Sequence, residues 1–129
     1  MPPVRGLAEE GDIDRLTGVG PPALAHLKIV KLGGPSAVAR AIRRLRDAGV
    51  GVMIGQMNEG AMATAITAHC VMAMKPEFAE LYGCYGLLDD VTPGVTYANG
   101  AILIPNGIGI GVMFEKNRCA KVWTMQFSS

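Results

Sequence analysis

Two lysines stand where an apolar segment of the sequence gives way to a pair of glycines. Lys28 and Lys31 lie at the end of the segment 23–30, just before Gly33 and Gly34. In parallel α/β proteins the groups that do chemistry gather at the carboxyl ends of the strands. An amine withdrawn from water there gives up its proton more readily, which suits a general acid or base near neutral pH. The alternatives are that Lys28 extends from the strand end into solvent and that Lys31 is an ordinary solvated loop lysine.

Three acidic residues occupy comparable positions. Glu9 lies near the first loop, Glu59 follows the apolar segment 50–54, and Glu80 stands between apolar neighbours in segment 78–83. Carboxylates at several strand ends are what a Mg²⁺ site needs, because this ion prefers oxygen ligands. Glu59 has a structural alternative, since an acid near the start of a helix favours the helix dipole. For Glu80 we expect a function, because an unpaired buried carboxylate is costly.

Other chemistry is less well supported. The segment "GGPS", which opens a helix, is compatible with phosphate binding, but the spacing of dinucleotide and P-loop motifs is absent. The three cysteines have no metal-ligand spacing, and Cys70 beside His69 is expected to be a packing residue, because neighbours on a helix point in different directions.

The elements that position these residues alternate between strand and helix. Apolar residues at helical spacing (Val38, Ala41, Ile42 and Leu45) predict an amphipathic helix over 36–48. Strands are predicted at 23–30, 50–54 and 78–83, with a helix apolar nearly all round, and therefore buried, at 60–74. This order predicts parallel strands with helical crossovers, an α/β fold. Asn99 and Gly100, between two apolar runs, predict a carboxyl-terminal β-hairpin.

Composition limits the classes of function. The chain has 129 residues, 50% hydrophobic and 18% charged, which indicates one globular domain. A net charge of +1 predicts no strong attraction for nucleic acid or membranes. The opening "MPPVRGLAEEGD" does not resemble a secretory signal, and the apolar run 61–74 is too short to span a bilayer. With three cysteines, an odd number, a reducing cytoplasm is expected.

Three stretches together resemble a known family. They are "LKIVKLGGPSAVARAIRRLRDAGVGVMIGQMNEGAMATAITAHCVMA", "AELYGCYGLLDD" and "GVTYANGAILIPNGIGIGV". In this order and spacing they are similar to the carboxyl-terminal part of the enolase superfamily, in its muconate-lactonizing and mandelate racemase-like branch. The resemblance covers roughly residues 7–113.

The resemblance implies a mechanism and a set of residues. Members of the superfamily are racemases, epimerases, cycloisomerases and dehydratases that remove a proton alpha to a carboxylate, with Mg²⁺ or another divalent cation stabilising the enolate. By this resemblance Lys28 is the acid/base and Lys31 the second lysine of the same motif. Glu9 is the metal ligand, Glu59 the acid after the seventh strand, and Glu80 the acid of the eighth strand, near the substrate. The implied substrate is a small carboxylate or amino-acid-like compound.

The resemblance also implies that the chain is about half of a (β/α)₈-type barrel, approximately strands five to eight, with the hairpin following them. Residues 1–129 are expected to form one domain, with an atypical tail at about 114–129. A half barrel exposes an apolar face and open strand edges. We therefore expect either a second copy or a separate amino-terminal half to cover this face. The alternative to an enzyme is a non-catalytic truncated fragment or interaction module that keeps the barrel packing.

Overall fold

A computed structural model describes residues 4–6, 10–18 and 23–120. Four parallel strands form one sheet in the order β1-β2-β3-β4. Their bounds are Val4–Gly6 for β1, Leu24–Lys28 for β2, Gly51–Gly55 for β3 and Phe78–Glu80 for β4. The predicted α/β arrangement of parallel strands is therefore confirmed.

Helices connect successive strands. The first crossover contains α1 (Glu10–Thr17), the second contains the short α2 (Ile29–Leu32) and then α3 (Pro35–Asp47), and the third contains α4 (Ala61–Met74). Among the described residues, no helix is both long enough and apolar enough to cross a membrane.

The predicted amphipathic helix is confirmed as α3, starting one residue earlier than expected. Gly33 and Gly34, with φ of 83° and 121°, provide the backbone turn before it, and Pro35 occupies its first turn. The helix ends before Gly49, whose φ of 71° is typical of a glycine after a helix end. Its apolar stripe packs on the sheet together with α1.

The core lies on one face of the sheet. Its strand residues are fully buried, and they pack against apolar side chains of α1 and α3. These strand residues are Ala25, Leu27, Val52 and Ile54. The opposite face carries the alternate residues of the same strands and is partly or largely exposed, as Phe78 at 59% shows. This open face bears the candidate site.

Three expectations about the elements were wrong in detail. The strand predicted over 23–30 ends at Lys28, because the chain turns directly into α2. The strand predicted over 78–83 is paired only as far as Glu80. The helix expected to be buried all round exposes Met62 at 44% and Met72 at 65%, because nothing among the described residues covers that side of α4.

The predicted hairpin is confirmed. Strands β5 (Thr96–Ala98) and β6 (Ala101–Leu103) pair antiparallel. Asn99 and Gly100 both have positive φ, 51° and 75°, as a tight two-residue turn requires. A short 3₁₀ helix, Lys116–Arg118, follows later in the chain, and residues 121–129 of the predicted tail lie outside the described part.

Candidate active site

The strand register brings two of the predicted site residues into one row. Lys28 is paired with Gly55, and Gly55 with Glu80, so the three residues lie side by side across β2, β3 and β4. All three end their strands, and residues paired in a parallel sheet point to the same face. Lys28 is half-buried. This face is the open one, so an acid and an amine flank a position without a side chain.

Glu80 is more accessible than its apolar neighbours suggested. Its side chain is 46% exposed, which contradicts the expectation that it is buried. The reason is that β4 is an edge strand of the described sheet, and its three residues are all exposed. The carboxylate therefore keeps contact with solvent while facing the row.

His26 lies over the gap at Gly55. A Cβ at residue 55 would overlap the Nε2 atom of His26 and would lie 2.9 Å from its Cε1 atom. The Nε2 atom is 3.9 Å from Oε2 of Glu80, is itself buried and has no hydrogen-bond partner among the described residues. Burial lowers the pKa of His26 below its usual value of 6.5; Lys28 lowers it further, and Glu80 opposes the shift.

Lys31 and Glu59 take other positions. Lys31 belongs to α2 rather than to a loop or strand, and its side chain is exposed. Glu59 follows β3, where its carboxylate accepts a hydrogen bond from the backbone N–H of Met57 at 2.9 Å. The N–H of Glu59 donates to the carbonyl of Gly83, which links the loops after β3 and β4. Glu59 thus has a local structural role in the fold.

A metal-ligand cluster is absent from the described part of the chain: no three His, Cys, Asp or Glu side chains there are grouped to hold an ion. Glu9, the predicted ligand, lies outside the described residues. The residues whose side chains are described therefore do not by themselves fit a divalent cation.

The loop that follows Glu80 packs against a buried polar group. Gln56 comes directly after β3, is fully buried, and donates from Nε2 to the hydroxyls of Thr64 and Thr67 on α4. Gly83 packs so closely on this group that a Cβ there would lie 2.8 Å from the Gln56 amide. The glycine lets the loop after β4 pass directly over Gln56.

A cavity of about 800 Å³ adjoins Glu80 and reaches the hairpin. Three tyrosines, Tyr82, Tyr85 and Tyr97, line it together with Glu80. The rings of Tyr85 and Tyr97 meet edge to face, with centroids 5.4 Å apart. Burial raises the pKa of the Tyr97 phenol, which shares a hydrogen bond with Cys84 at 3.5 Å.

Sequence reasoning missed His26, Gln56 and the tyrosines. His26 had a usable signal: it is two residues before Lys28, and strand alternation places both on one face. For the tyrosines there was no comparable signal, because the hairpin and β4 are brought together only by the tertiary fold.

A family model described as enolase C-terminal domain-like matches residues 14–118. The chain is 30% identical over 113 residues to muconate cycloisomerase 1 of Pseudomonas putida. The aligned region covers 85% of this chain and 30% of that protein. Among solved structures, the muconate lactonizing enzyme from Pseudomonas putida is similar, with a TM-score of 0.80 and 28% identity. That match covers 89% of this chain and 33% of the other.

The dipeptide epimerase from Methylococcus capsulatus, solved in complex with a Mg ion, is also similar. Its TM-score is 0.73 at 26% identity, over 84% of this chain and 32% of that one. The chain thus spans about a third of the length of these relatives. These matches confirm that its parallel sheet corresponds to the carboxyl-terminal barrel part of such structures.

Proposed function

This chain belongs to the enolase C-terminal domain-like family, and on that premise we propose that it carries part of a proton-transfer site in which Lys28 is the acid/base. The proposed reaction removes the proton alpha to a carboxylate, in an epimerase, racemase, cycloisomerase or dehydratase. Its relatives include a cycloisomerase and a dipeptide epimerase. Since the chain spans about a third of such proteins, the activity is proposed for an assembly to which this chain contributes.

The single observation that supports this proposal is the row formed by Lys28, Gly55 and Glu80. An amine and a carboxylate end two strands, with a glycine between them, on the face of the sheet that none of the described helices covers. A substrate bound beside the His26 ring, which fills the space directly over Gly55, would lie between the two groups. Carboxyl ends of parallel strands are where α/β enzymes place such groups.

The proposed step transfers a proton from the substrate to Lys28. The neutral amine of Lys28 takes the alpha proton, the C–H bond breaks, and its electron pair moves into the carboxylate to give an enolate. Return of a proton to the opposite face of the same carbon, from a donor across the substrate from Lys28, completes an epimerisation or racemisation, whereas return to the same face only exchanges the proton with solvent. Glu80 faces the substrate as an acidic group, while Lys31 of α2 and Glu59 of the loop after β3 are proposed in supporting roles.

Mg²⁺ is proposed as the cofactor by relationship, and it would supply positive charge to the carboxylate when bound. The described side chains do not fit it, as no cluster of three ligands exists among them. Glu9 stays the proposed ligand, and further ligands must come from outside the described residues. No step above depends on the ion.

The proposed substrate is a small carboxylate or amino-acid-like compound. The cavity of about 800 Å³ beside Glu80 is of a size that holds such a molecule. The three cysteines, all described and all unpaired, support a reducing cytoplasm as the proposed compartment.

The test is exchange of the alpha proton. The chain is incubated in D₂O with MgCl₂ and, in turn, dipeptides, amino acids and 2-hydroxy acids, and loss of the Cα–H signal is followed by proton NMR. We expect Lys28→Met to reduce exchange by about 10²-fold or more, the usual contribution of a general base. Lys31→Met should reduce it less, and Lys116→Met, on the exposed 3₁₀ helix, serves as the matched control.

A second candidate function is a non-catalytic fragment or interaction module. The observation that favours it is the absence of a three-ligand cluster from the described residues. On this hypothesis no substrate exchanges its proton above the buffer rate, calorimetry shows no Mg²⁺ binding, and Lys28→Ala leaves folding unchanged. Exchange that depends on Lys28 would exclude it.

A further inference from the structure

His26 is the one imidazole on the open face of the described sheet, and the proposed reaction gives it no role. Its neighbours suggest one. It precedes Lys28 by two residues on β2, so both side chains emerge on the same face. Its ring leans across β3 toward β4, over the position where Gly55 has no side chain.

We propose that His26 is a positioning residue for Glu80, which it reaches across the gap left by Gly55. The inference rests on the proposed function, because Glu80 matters here as the acid that faces the substrate. In this arrangement a neutral imidazole donates its Nε2–H to a carboxylate oxygen of Glu80 and so fixes where the carboxylate points. No proton is transferred in this role.

The distances support this role. Nε2 of His26 and Oε2 of Glu80 are 3.9 Å apart, and closing this gap to hydrogen-bond length needs a movement of about 1 Å. The Glu80 side chain has room for this movement, because it is half-exposed and lies on a three-residue edge strand. Nε2 is buried and has no other partner in the described part of the chain, and a buried polar atom without a partner is costly. The hydrogen bond to Glu80 would satisfy it.

Gly55 is the residue that permits the contact. Any side chain at position 55 would occupy the volume of the imidazole. Position 55 of β3 must therefore be glycine for His26 of β2 to reach Glu80 of β4. Gly51, at the other end of β3, provides a contrast. A Cβ there would lie 3.2 Å from the flexible end of Leu24, which a small movement relieves. The two glycines share a strand and a face, but only one makes room for the histidine.

Charge around the ring favours the neutral imidazole that this role needs. Burial lowers the pKa of His26, and the charges that Lys28 and Lys31 carry when protonated lower it further, while Glu80 raises it. Lys28 shares its strand, Lys31 lies on α2, Glu80 lies on β4, and β3 presents only Met53 and the two glycines. The imidazole is thus uncharged at neutral pH.

The first test needs no substrate. The Cε1–H signals of His26 and His69 are followed from pH 4 to pH 9 by NMR, with His69, on α4, as the internal reference. We expect Glu80→Gln to shift the His26 midpoint to lower pH and Lys28→Met to shift it to higher pH. In the Gly55→Ala variant the displaced imidazole should lose its response to Glu80→Gln, whereas Gly51→Ala should keep it. A His26 midpoint that ignores Glu80→Gln overturns the proposal.

The second test uses the exchange assay. His26→Leu removes the donor, and we expect at least about a tenfold loss of Lys28-dependent exchange, since misplacement of a reacting group by about 1 Å is costly. His26→Gln keeps an N–H donor and should recover most of it. Equal losses in the two variants would overturn the role. If the unaltered chain shows no exchange, the proposed function fails, while the His26–Glu80 coupling is still decided by the titration.

Discussion

The two faces of the parallel sheet differ sharply although they are built from the same strands. On the helix-covered face, Ala25 and Leu27 of β2 and Val52 and Ile54 of β3 are fully buried. On the open face, His26, Lys28 and Glu80 retain access to solvent and form the candidate site. Because side chains alternate along a strand, the core residues and the candidate-site residues are alternate residues of the same strands. Substitutions on one face should therefore change stability, and substitutions on the other should change reactivity.

The largest effect is expected on the covered face. Leu27→Ala should lower the free energy of unfolding by about 3 kcal/mol, because it leaves a cavity against α3. Leu24→Ala, on the same strand but on the open face, should cost about 1 kcal/mol or less. Urea denaturation of both variants measures the difference. Similar costs would mean that the open face is also covered in solution.

The covered face also depends on how α4 is held. Helix α4 has no side-chain cap of its own, and Asp90, from the segment after β4, accepts the N–H of Ala61 while Thr92 accepts that of Met62. Both carboxylate oxygens of Asp90 accept hydrogen bonds, one from Ala61 and the other from Thr92, and Asn has only one acceptor oxygen, so Asp90→Asn should cost about 1 kcal/mol. Asp89→Asn, next to it but 74% exposed and paired with Arg118, should stay within about 0.5 kcal/mol.

The same cap predicts a pH dependence. Partial burial alone would raise the pKa of Asp90, but hydrogen bonds from Ala61 and Thr92 outweigh it and hold the pKa below the usual value of 3.8. A carboxyl with a lowered folded-state pKa stabilises the fold above its unfolded pKa, and the contribution is lost as pH falls through the folded value. The difference in melting temperature between the natural chain and Asp90→Asn should be largest at pH 7 and should narrow as the pH is lowered below about 4. A constant difference between them would contradict this.

Regular patterns in the sequence predicted the covered face well. The spacing of Val38, Ala41, Ile42 and Leu45 predicted α3, and the apolar run 50–54 predicted β3 within one residue. Asn99-Gly100 predicted the hairpin, because few other residues accept positive φ at both positions of the turn. These features depend on local periodicity and turn chemistry, which are readable without the tertiary structure.

The open face was predicted less completely. Lys28 was found near the end of its predicted strand and Glu80 as a carboxylate between apolar neighbours, but the sequence alone could not show that Gly55 lies between them. That relation depends on the register of three strands, as does the approach of His26 to Glu80. The roles of Lys28, Lys31, Glu59 and Glu80 stay predictions, and so does Glu9 as a metal ligand.

A smaller effect on stability is expected on the open face, where Phe78 is 59% exposed. Phe78→Lys should change the free energy of unfolding by less than about 0.5 kcal/mol. It should instead reduce self-association, because exposed apolar strand surface promotes it. Light scattering should give a mass above 13.6 kDa for the natural chain and a value closer to it for the variant. Met72→Lys, at a similarly exposed residue on α4, is the control. An equal effect there would show that self-association does not depend on the open face of the sheet.

The smallest effect is expected in the charged outer surface of the helical layer, which tests whether the covered face depends on apolar packing alone. Arg44 of α3 pairs with Asp14 of α1, with side chains 47% and 67% exposed. Such a pair gains little, because water screens the charges and two long side chains must be ordered. Arg44→Ala should therefore cost about 0.3 kcal/mol or less, and the cost should shrink as salt is raised from 0.05 M to 1 M. A larger, salt-independent loss would mean that the arginine stem packs between α1 and α3, so that the helical layer is held by more than the side chains facing the sheet.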